Sequence, residues 1–518
     1  MKLHRIAIFG AALAVFATEP NDATRRWWGH ILALANDGME GRDTGSQGYR
    51  NAERYVVSEF EKAGLKPAGE KGYTQSVALH EVRFQAAESS VELVRPDGVT
   101  KLQWLRQITV PARLGLPETL AADMVFLGDG PAAGAAALDP RGKIVVQLPA
   151  IPRATTRPTT GAAAPAGRGA GRGNAGGRAG TIAIDTTGGP EPPRWPVAYS
   201  VAMTLAETPA RQPSNAAPSF RFNPAFAEEL FQGSGHTFAE LQKLAADGKP
   251  LPQFTLPAKL RATMKFTSGD LTSDNIVAEL PGSDPALAGQ YVVVSAHLDG
   301  YGIGEPWNGD KIYNGAFDDA AYVATLIDFA QKLHESGRRF RRSLLFLVVT
   351  GEEKGLLGSK YFALHPTVAE EKLVADINLD QLRPLFPLKT LTCIGLDESS
   401  LGETVRRVGE AMDIRIQPDP EPERRLIQRS DNFSLMQIAV PAVGFVFGYR
   451  PGSPEEAIYR QWYAQRYHSP ADDIDQPWDP PAAAKFNEFF AKVVESVANS
   501  PEKPAWKPGS RFAHADVR

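Results

Sequence analysis

The sequence has a single cysteine, Cys393, in 518 residues, and this scarcity excludes two kinds of structure. No disulfide can form within the chain, and no metal site can be built from several thiolates. The sequence also lacks a large excess of charge of either sign, since the net charge is only −4 at pH 7. Nothing therefore favours nucleic acid or an anionic membrane as a partner. A serine hydrolase is disfavoured because the chain contains no G-x-S-x-G segment.

Long hydrophobic runs are scarce as well. No segment approaches the roughly 20 apolar residues that a membrane-spanning helix needs. The longest candidate is the apolar run 6–17, which Lys2 and Arg5 precede. This order is typical of a secretory signal peptide, although a short buried helix would have a similar composition. We therefore predict a signal peptide at residues 1–17 and an exported protein, periplasmic or extracellular.

The length of the chain is sufficient for two or three domains. Short β-like segments separated by Gly, Pro and Asp dominate from about residue 75 to 151. From Ser273 onward, strand and helix patterns alternate, which is typical of βαβ units and a largely parallel sheet. The predicted division is a signal peptide at 1–17, an α/β peptidase domain formed by 18–81 and 267–500, an inserted β-rich domain at 82–266, and a tail at 501–518.

Residues 155–180 form a low-complexity segment rich in Arg, Gly, Ala and Pro, which cannot bury a core. Repeated Arg-Gly pairs are typical of RNA-binding tails. No aromatic residue is interleaved to stack on bases, however, so RNA binding is disfavoured. We predict a flexible, solvated loop on the surface of the inserted domain.

One stretch of the α/β part carries polar residues at the end of a buried strand. The apolar run Tyr291–Ala296 leads into His297 and Asp299, which lie on the same side of a strand. A Gly-rich and Asn-rich loop then ends in two adjacent carboxylates, Asp318 and Asp319. Because open α/β sheets bind ligands beyond the carboxyl ends of their strands, this arrangement predicts a metal site.

Later segments supply the remaining candidate ligands. The strand-like run 343–350 leads into Glu353, and Val374–Leu379 leads into Asp380. His468 follows much later in the chain. Together with His297 and Asp318 from the first stretch, these residues complete the set of candidate ligands: His297, Asp318, Glu353, Asp380 and His468. Nitrogen and oxygen ligands of this kind suit one catalytic zinc ion, or two ions about 3.5–4 Å apart bridged by a carboxylate.

Each of these residues also has an ordinary alternative interpretation. A single His at a strand end is commonly a satisfied polar residue, and acid pairs such as Glu352-Glu353 are commonly solvated surface. Their joint occurrence at strand ends of one α/β pattern favours the metal site, because burying several acids without a counter-charge is costly. Glu352, which is adjacent to a candidate ligand, has the placement of a general base.

Five segments of the chain resemble, in order and spacing, the motifs of the secreted double-zinc aminopeptidases. They are AHLD (296–299), NGAFDDAA (314–321), GEEKGLLGSKYF (351–362), NLDQ (378–381) and YHSPADDID (467–475). The superfamily also includes glutamate carboxypeptidase, glutaminyl cyclase and the transferrin receptor. The resemblance covers about 27–75 and 270–498, and it implies a three-layer α/β zinc-exopeptidase fold with a mixed, largely parallel sheet.

The resemblance also implies a ligand arrangement with two zinc ions per chain. His297 and Asp380 would hold one ion, and Glu353 and His468 would hold the other. Asp318 would bridge the two ions. The inserted domain, by its position and the segment DPRGKIVV (139–146), is similar to a protease-associated domain.

Further roles are implied by the same resemblance. Glu352 would be the general base, and Tyr467 would donate a hydrogen bond to the oxyanion. Asp299 would orient the imidazole of His297 without contacting the metal itself. A cis peptide bond is expected between Asp318 and Asp319.

The activity implied is hydrolysis of the N-terminal peptide bond of peptides or proteins. Three alternatives remain open at this point. A glutaminyl cyclase would use a related site with one zinc ion. A glutamate-type carboxypeptidase would need Arg residues that bind substrate carboxylates, with Arg383, Arg424, Arg425 and Arg429 as candidates. A non-catalytic binding protein on the same fold would have lost metal ligands, and this chain retains all five. The sequence does not define the oligomeric state.

Overall fold

The computed structural model describes residues 19–128, 137–148, 177–185, 193–208, 217–380 and 382–513. The predicted signal peptide at 1–17 and residues 155–176 of the predicted loop lie outside these ranges. Within them, every helix is too short or too polar to cross a membrane.

The α-helices of the described residues are mostly short and amphipathic. They are α1 (Arg25–Leu34), α2 (Gln47–Lys62), α3 (Glu228–Phe231), α4 (Phe238–Ala246), α5 (Ala321–Ser336), α6 (Leu357–Leu364), α7 (Leu401–Ala411), α8 (Asn432–Gln437), α9 (Pro454–Gln465) and α10 (Pro480–Asn499).

The strands divide between two large sheets and one small hairpin. They are β1 (Lys66–Pro67), β2 (Thr74–Phe84), β3 (Ser90–Arg95), β4 (Gly98–Leu102), β5 (Ile108–Thr109), β6 (Thr119–Phe126), β7 (Ile144–Gln147), β8 (Gly180–Ile184), β9 (Val201–Leu205), β10 (Ser219–Phe222), β11 (Phe254–Thr263), β12 (Phe266–Leu280), β13 (Tyr291–His297), β14 (Gly302–Trp307), β15 (Asp310–Tyr313), β16 (Ser343–Val349), β17 (Leu373–Leu379), β18 (Thr390–Ile394), β19 (Arg415–Gln417) and β20 (Ala442–Phe447).

The larger sheet has ten strands and is mixed, with a parallel centre. Its order is β19-β18-β20-β17-β13-β16-β12-β2-β9, and β1 pairs with β12. Strand β13 lies between β16 and β17 and is parallel to both. Strand β12 runs antiparallel to its neighbours, and β18 is antiparallel to β20 but parallel to β19. The predicted mixed α/β sheet is therefore confirmed. Among the described residues, four of its nine strand pairings are parallel, which is a smaller share than predicted, and five are antiparallel.

Helices cover both faces of this sheet, which gives three layers. Val292 and Val294 of β13 face a core that includes residues of α1, α2, α5 and α10. Val293, between them, faces the opposite core, where it packs with Phe362 of α6 and Leu435 of α8. Because side chains alternate along a strand, burial on both faces requires the continuous apolar runs seen in the sequence.

The second sheet has eight strands and its own core. Its order is β4-β3-β11-β6-β7-β8-β10-β5, so it is formed by residues between 90 and 263. A separate hydrophobic cluster that includes Phe126, Phe220 and Phe231 packs against it. One strand of the predicted insertion, β9, pairs instead with β2 at the edge of the larger sheet.

A buried acid in the larger sheet provides a test of stability against pH. Asp376 of β17 is fully buried and accepts a hydrogen bond from the Ser295 hydroxyl at 2.8 Å. Burial raises the pKa of Asp376 to about 8, against about 4 in an unfolded chain. The folded state thus retains a proton that the unfolded state loses, so this group makes stability fall as pH rises from about 4 to 8.

We expect Asp376→Asn to remove that pH dependence. The free energy of unfolding of the variant minus that of the wild type should increase by about 1 kcal/mol for each pH unit between about pH 4 and 8. Urea unfolding of the metal-free proteins at pH 5 and 7.5 would measure it. Asp397→Asn on the surface is the control, and parallel curves for Asp376→Asn and wild type would contradict the argument.

Candidate metal centre

The carboxyl ends of the central parallel strands meet at one edge of the larger sheet. Strand β13 ends at His297, which pairs with Val349 at the end of β16. The turn after β16 carries Glu352 and Glu353, and Asp380 directly follows β17. The sheet thus brings together residues that lie more than 80 positions apart in the chain.

All five candidate ligands lie close together and form two groups that share Asp318. The first group is His297, Asp318 and Asp380, and the second is Asp318, Glu353 and His468. One oxygen of Asp318, Oδ1, lies 3.3 Å from Nε2 of His297, and the other, Oδ2, lies 3.2 Å from Nε2 of His468. His468 Nε2 is also 3.3 Å from Glu353 Oε1. Asp318 therefore faces both groups with separate oxygens.

These separations suit a bound cation. Two atoms that ligate one tetrahedral zinc ion at about 2.0–2.1 Å lie roughly 3.3 Å apart. Three atoms of the candidate ligands are buried and make no hydrogen bond with any described residue: His297 Nε2, Asp318 Oδ2 and Asp380 Oδ1. Buried polar atoms left in this way are costly unless an ion satisfies them, so the residues fit zinc.

The tautomers of both imidazoles are consistent with a metal at Nε2. Nδ1 of His297 lies 3.0 Å from the backbone carbonyl of Asp299, to which it can only donate. Nδ1 of His468 lies 3.0 Å from the Tyr301 hydroxyl. With the protons on Nδ1, each Nε2 lone pair points at a carboxylate oxygen, and only a proton or a metal ion relieves that repulsion.

The pKa values reflect this crowding of charge in the absence of a metal. Burial works against ionisation of Asp318, but the two imidazoles lower its pKa below the usual range. Burial also opposes protonation of His468, yet Glu353 and Asp318 raise its pKa to about 9. Burial and nearby carboxylates raise the pKa of Glu352, and that of Asp380 to about 6. The site therefore attracts positive charge.

The loop that carries Asp318 is held by a carboxylate whose role the sequence did not reveal. Asp472 accepts hydrogen bonds from the backbone N–H groups of Phe317 and Asp318, both at 3.0 Å. Asp319 accepts from the N–H of His297 at 3.2 Å, and the peptide bond between Asp318 and Asp319 is cis, as expected. Asp472 lies in the YHSPADDID segment, which was the available signal for it.

Arg42 is a second residue whose role was missed. Its side chain is fully buried and donates four hydrogen bonds to backbone carbonyls around the site. The acceptors, at 2.7–2.9 Å, are the carbonyls of Leu34, Leu298, Asn314 and Gly315. Arg42 thus joins the N-terminal segment to the loops on either side of the metal ligands.

Asp299 contacts His297 differently from the expectation. The hydrogen bond to His297 is made by the Asp299 backbone carbonyl, and the nearest carboxylate oxygen lies 3.9 Å from Nδ1. The carboxylate instead accepts from the N–H groups of Glu352 and Glu353 at 3.0 and 3.4 Å. Its side chain therefore fixes the turn that carries the candidate base, since a buried acceptor of this kind orients the donors around it.

Tyr467 lies against His468, a ligand of the second group. The Tyr467 ring stacks on the His468 ring with centroids 3.6 Å apart, and its hydroxyl lies 3.4 Å from a guanidinium nitrogen of Arg429. Arg194, from the segment before β9, lies 5.0 Å from the Tyr467 ring centre. Residues from the region between the two halves of the α/β part thus reach this edge of the site.

The protein thus combines a three-layer α/β fold with two histidine–carboxylate groups that suit zinc. Residues 275–494, which include all five candidate ligands, match the model for peptidase family M28. The match covers about two fifths of the chain, and within this region the chain is similar to M28 peptidases. The resemblance to double-zinc peptidases is therefore confirmed.

Two solved structures share the fold of this chain over most of its length. The fold is similar to an aminopeptidase from Aneurinibacillus sp. strain AM-1, with a TM-score of 0.58, 17% identity, and 93% and 95% of the two chains covered. The fold is also similar to a zinc aminopeptidase from Bacillus subtilis, with a TM-score of 0.57 and 15% identity. This similarity covers 94% of this chain and 97% of that one. At these identities the likeness concerns the fold alone.

Two curated relatives match shorter regions. Leupeptin-inactivating enzyme 1 of Streptomyces exfoliatus is 24% identical over 261 residues, which is 49% of this chain and 54% of that protein. Carboxypeptidase Q of Xenopus laevis is 32% identical over 118 residues, 22% of this chain and 23% of that protein. The chain thus spans about half or less of the length of these relatives.

Proposed function

We propose that the protein is a two-zinc aminopeptidase that removes N-terminal residues from peptides. The observation that carries this proposal is the sharing of Asp318 between two three-ligand groups, one oxygen facing each imidazole. In this proposal His297 and Asp380 hold one ion, and Glu353 and His468 hold the other. The similarity in fold to two bacterial aminopeptidases supports removal from the N-terminus.

The ions, when bound, would make a water nucleophilic at neutral pH and polarise the scissile carbonyl. Glu352 is proposed as the group that takes the proton from that water and then gives it to the leaving amine. Asp299 keeps the Glu352 backbone in place through a 3.0 Å hydrogen bond.

Tyr467 is proposed as the donor to the oxyanion that forms on the scissile carbonyl. Its hydroxyl lies 3.4 Å from a guanidinium nitrogen of Arg429, and its ring contacts the His468 ring and the Arg194 guanidinium. Because Tyr467 is buried among these contacts, its hydroxyl has little freedom to reorient.

A matched set of peptides tests the direction of cleavage. The purified protein with zinc is given one pentapeptide in three forms: unmodified, N-acetylated and C-amidated. An aminopeptidase releases the first residue from the unmodified and amidated forms, and acetylation abolishes release. Loss of the last residue from the acetylated form would instead show a carboxypeptidase. Cyclisation of an N-terminal glutamine without hydrolysis would show a cyclase.

We also propose that residues 82–266 form a protease-associated-like domain inserted into the peptidase domain, and that the protein is exported. The separate eight-stranded sheet and its own core support the first proposal. The signal-like pattern of residues 1–17 supports the second. N-terminal sequencing of the protein recovered from cells tests export, since an intact N-terminus would contradict it.

A further inference from the structure

We propose that Tyr199, which lies outside the M28-matched region, positions the metal-binding imidazole of His468 through Lys354 and Tyr301. Tyr199 lies in the segment that leads into β9, within the predicted insertion. The inference rests on the two-metal centre proposed above. It assigns a role in building that centre to a residue from outside the peptidase core.

Lys354 is the first link in this contact chain. It directly follows Glu353, and its side chain is only 2% exposed. The ammonium donates to the Tyr199 hydroxyl at 2.7 Å and to the Gly300 carbonyl at 3.2 Å. It also pairs with the carboxylate of Asp43 at 3.0 Å.

Tyr199 closes this arrangement from the other side. Its hydroxyl lies 3.2 Å from the Asp43 carboxylate, to which it donates while it accepts from Lys354. Lys354, Asp43 and Tyr199 therefore form a triangle in which each group contacts the other two. A buried ammonium in such a triangle has little freedom, because each displacement breaks a charge-assisted hydrogen bond.

Tyr301 is the second link. The carbonyl that Lys354 holds belongs to the preceding residue, and the ammonium lies 5.1 Å from the centre of the Tyr301 ring. The Tyr301 hydroxyl lies 3.0 Å from Nδ1 of His468, and the two rings are 4.6 Å apart. With the proton of His468 on Nδ1, the Tyr301 hydroxyl accepts its hydrogen bond, and the Nε2 lone pair is directed at Asp318 and Glu353.

The same part of the insertion holds the backbone that follows Tyr301. The N–H of Glu305, in β14, donates to the carbonyl of Ala198 at 2.7 Å. Arg106 pairs with the Glu305 carboxylate and donates to the Pro306 carbonyl at 2.7 Å. The β14–β15 hairpin runs directly into the loop that carries Asp318, so Tyr301 and this loop are both fixed against the insertion.

The expected energetic consequence follows from how outer partners tune metal ligands. Removing a group that orients a ligating imidazole typically weakens metal affinity about 10–100-fold. We expect Tyr301→Phe to weaken only the ion held by Glu353 and His468 by this factor. Tyr199→Phe, one link further away, should weaken the same ion several-fold. The other ion should be unaffected, because His297 takes its orientation from Asp299.

Zinc titration of the metal-free full chain, in competition with a chromophoric chelator, measures both affinities without any assay of activity. Tyr55→Phe is the matched control, because it removes a similar hydrogen bond, of 2.7 Å, to Nδ1 of His30 between α1 and α2. A selective loss at one ion in both variants, with Tyr55→Phe unchanged, supports the proposal. Equal behaviour of all three variants, or equal weakening of both ions, overturns it.

A double variant tests whether the two tyrosines act along one route. If Tyr199 acts through Tyr301, the loss in Tyr199→Phe/Tyr301→Phe should be smaller than the product of the single losses. A loss of affinity in the double variant that equals the product of the two single losses would overturn that route. Failure of the proposed function is distinguishable, since zinc binding by a wild type that cleaves no peptide would refute the aminopeptidase assignment alone.

Discussion

Replacing Glu352 with Gln is expected to lower kcat/KM by about 10²–10⁴-fold, the contribution typical of a positioned general base. The amide has nearly the same shape as the carboxylate but cannot take a proton from water. The backbone N–H of Glu352 would still donate to Asp299, so the turn should keep its place. Glu352 belongs to neither ligand group, so zinc content should not change.

Steady-state kinetics on an aminoacyl anilide and zinc analysis of the same sample measure the two quantities together. Glu371→Gln, on an exposed turn, is the control and should retain full activity. If Glu352→Gln lost zinc as well as activity, Glu352 would be a ligand. If it kept wild-type kcat/KM, another group would be the base.

The second large effect is expected at Asp318. Asp318→Asn replaces one of two oxygens that face opposite imidazoles with an NH₂ group, which cannot bind a cation. The amide would also place its hydrogens against Nε2 of one histidine. Since one side chain serves both groups, we expect both ions to be lost and activity to fall to background.

Ligands that belong to only one of the two groups provide the comparison for this variant. Asp380→Asn should weaken only the ion shared with His297, and Glu353→Gln only the ion shared with His468. Zinc per chain after extensive dialysis measures all three variants, with Asp473→Asn as a nearby control. Retention of one tightly bound ion in Asp318→Asn would contradict a bridging role.

The ligand set could be anticipated from the sequence because each ligand follows a recognisable strand. Continuous apolar runs predict buried parallel strands, and parallel strands place their carboxyl ends at one edge. His297 and Asp380 follow from this argument directly. The allocation of ligands to two ions does not, since spacing alone is compatible with one ion or two, and it came from the family resemblance.

The residues that support the ligands were not predictable in this way. Arg42 donates to four backbone carbonyls, and Asp472 accepts from backbone N–H groups. Because every residue type carries these backbone groups, the partners of Arg42 and Asp472 leave no pattern in the sequence. The Lys354–Tyr199 contact joins residues 155 positions apart. Such contacts depend on the completed fold.

The pairing of β9 with β2 is a further case of this kind. Strand β9 is five residues long and lies within a region that otherwise forms the second sheet. Its alternating burial is compatible with the edge of either sheet. Only the tertiary structure assigns it to the larger one, and this assignment brings Tyr199 to the metal centre.

The central claim, a two-metal centre bridged by Asp318, is tested most directly by anomalous diffraction at the zinc edge from crystals of the zinc-loaded protein. We expect two anomalous peaks, one among His297, Asp318 and Asp380 and one among Asp318, Glu353 and His468. A single peak, or two peaks of which one makes no contact with Asp318, would contradict it.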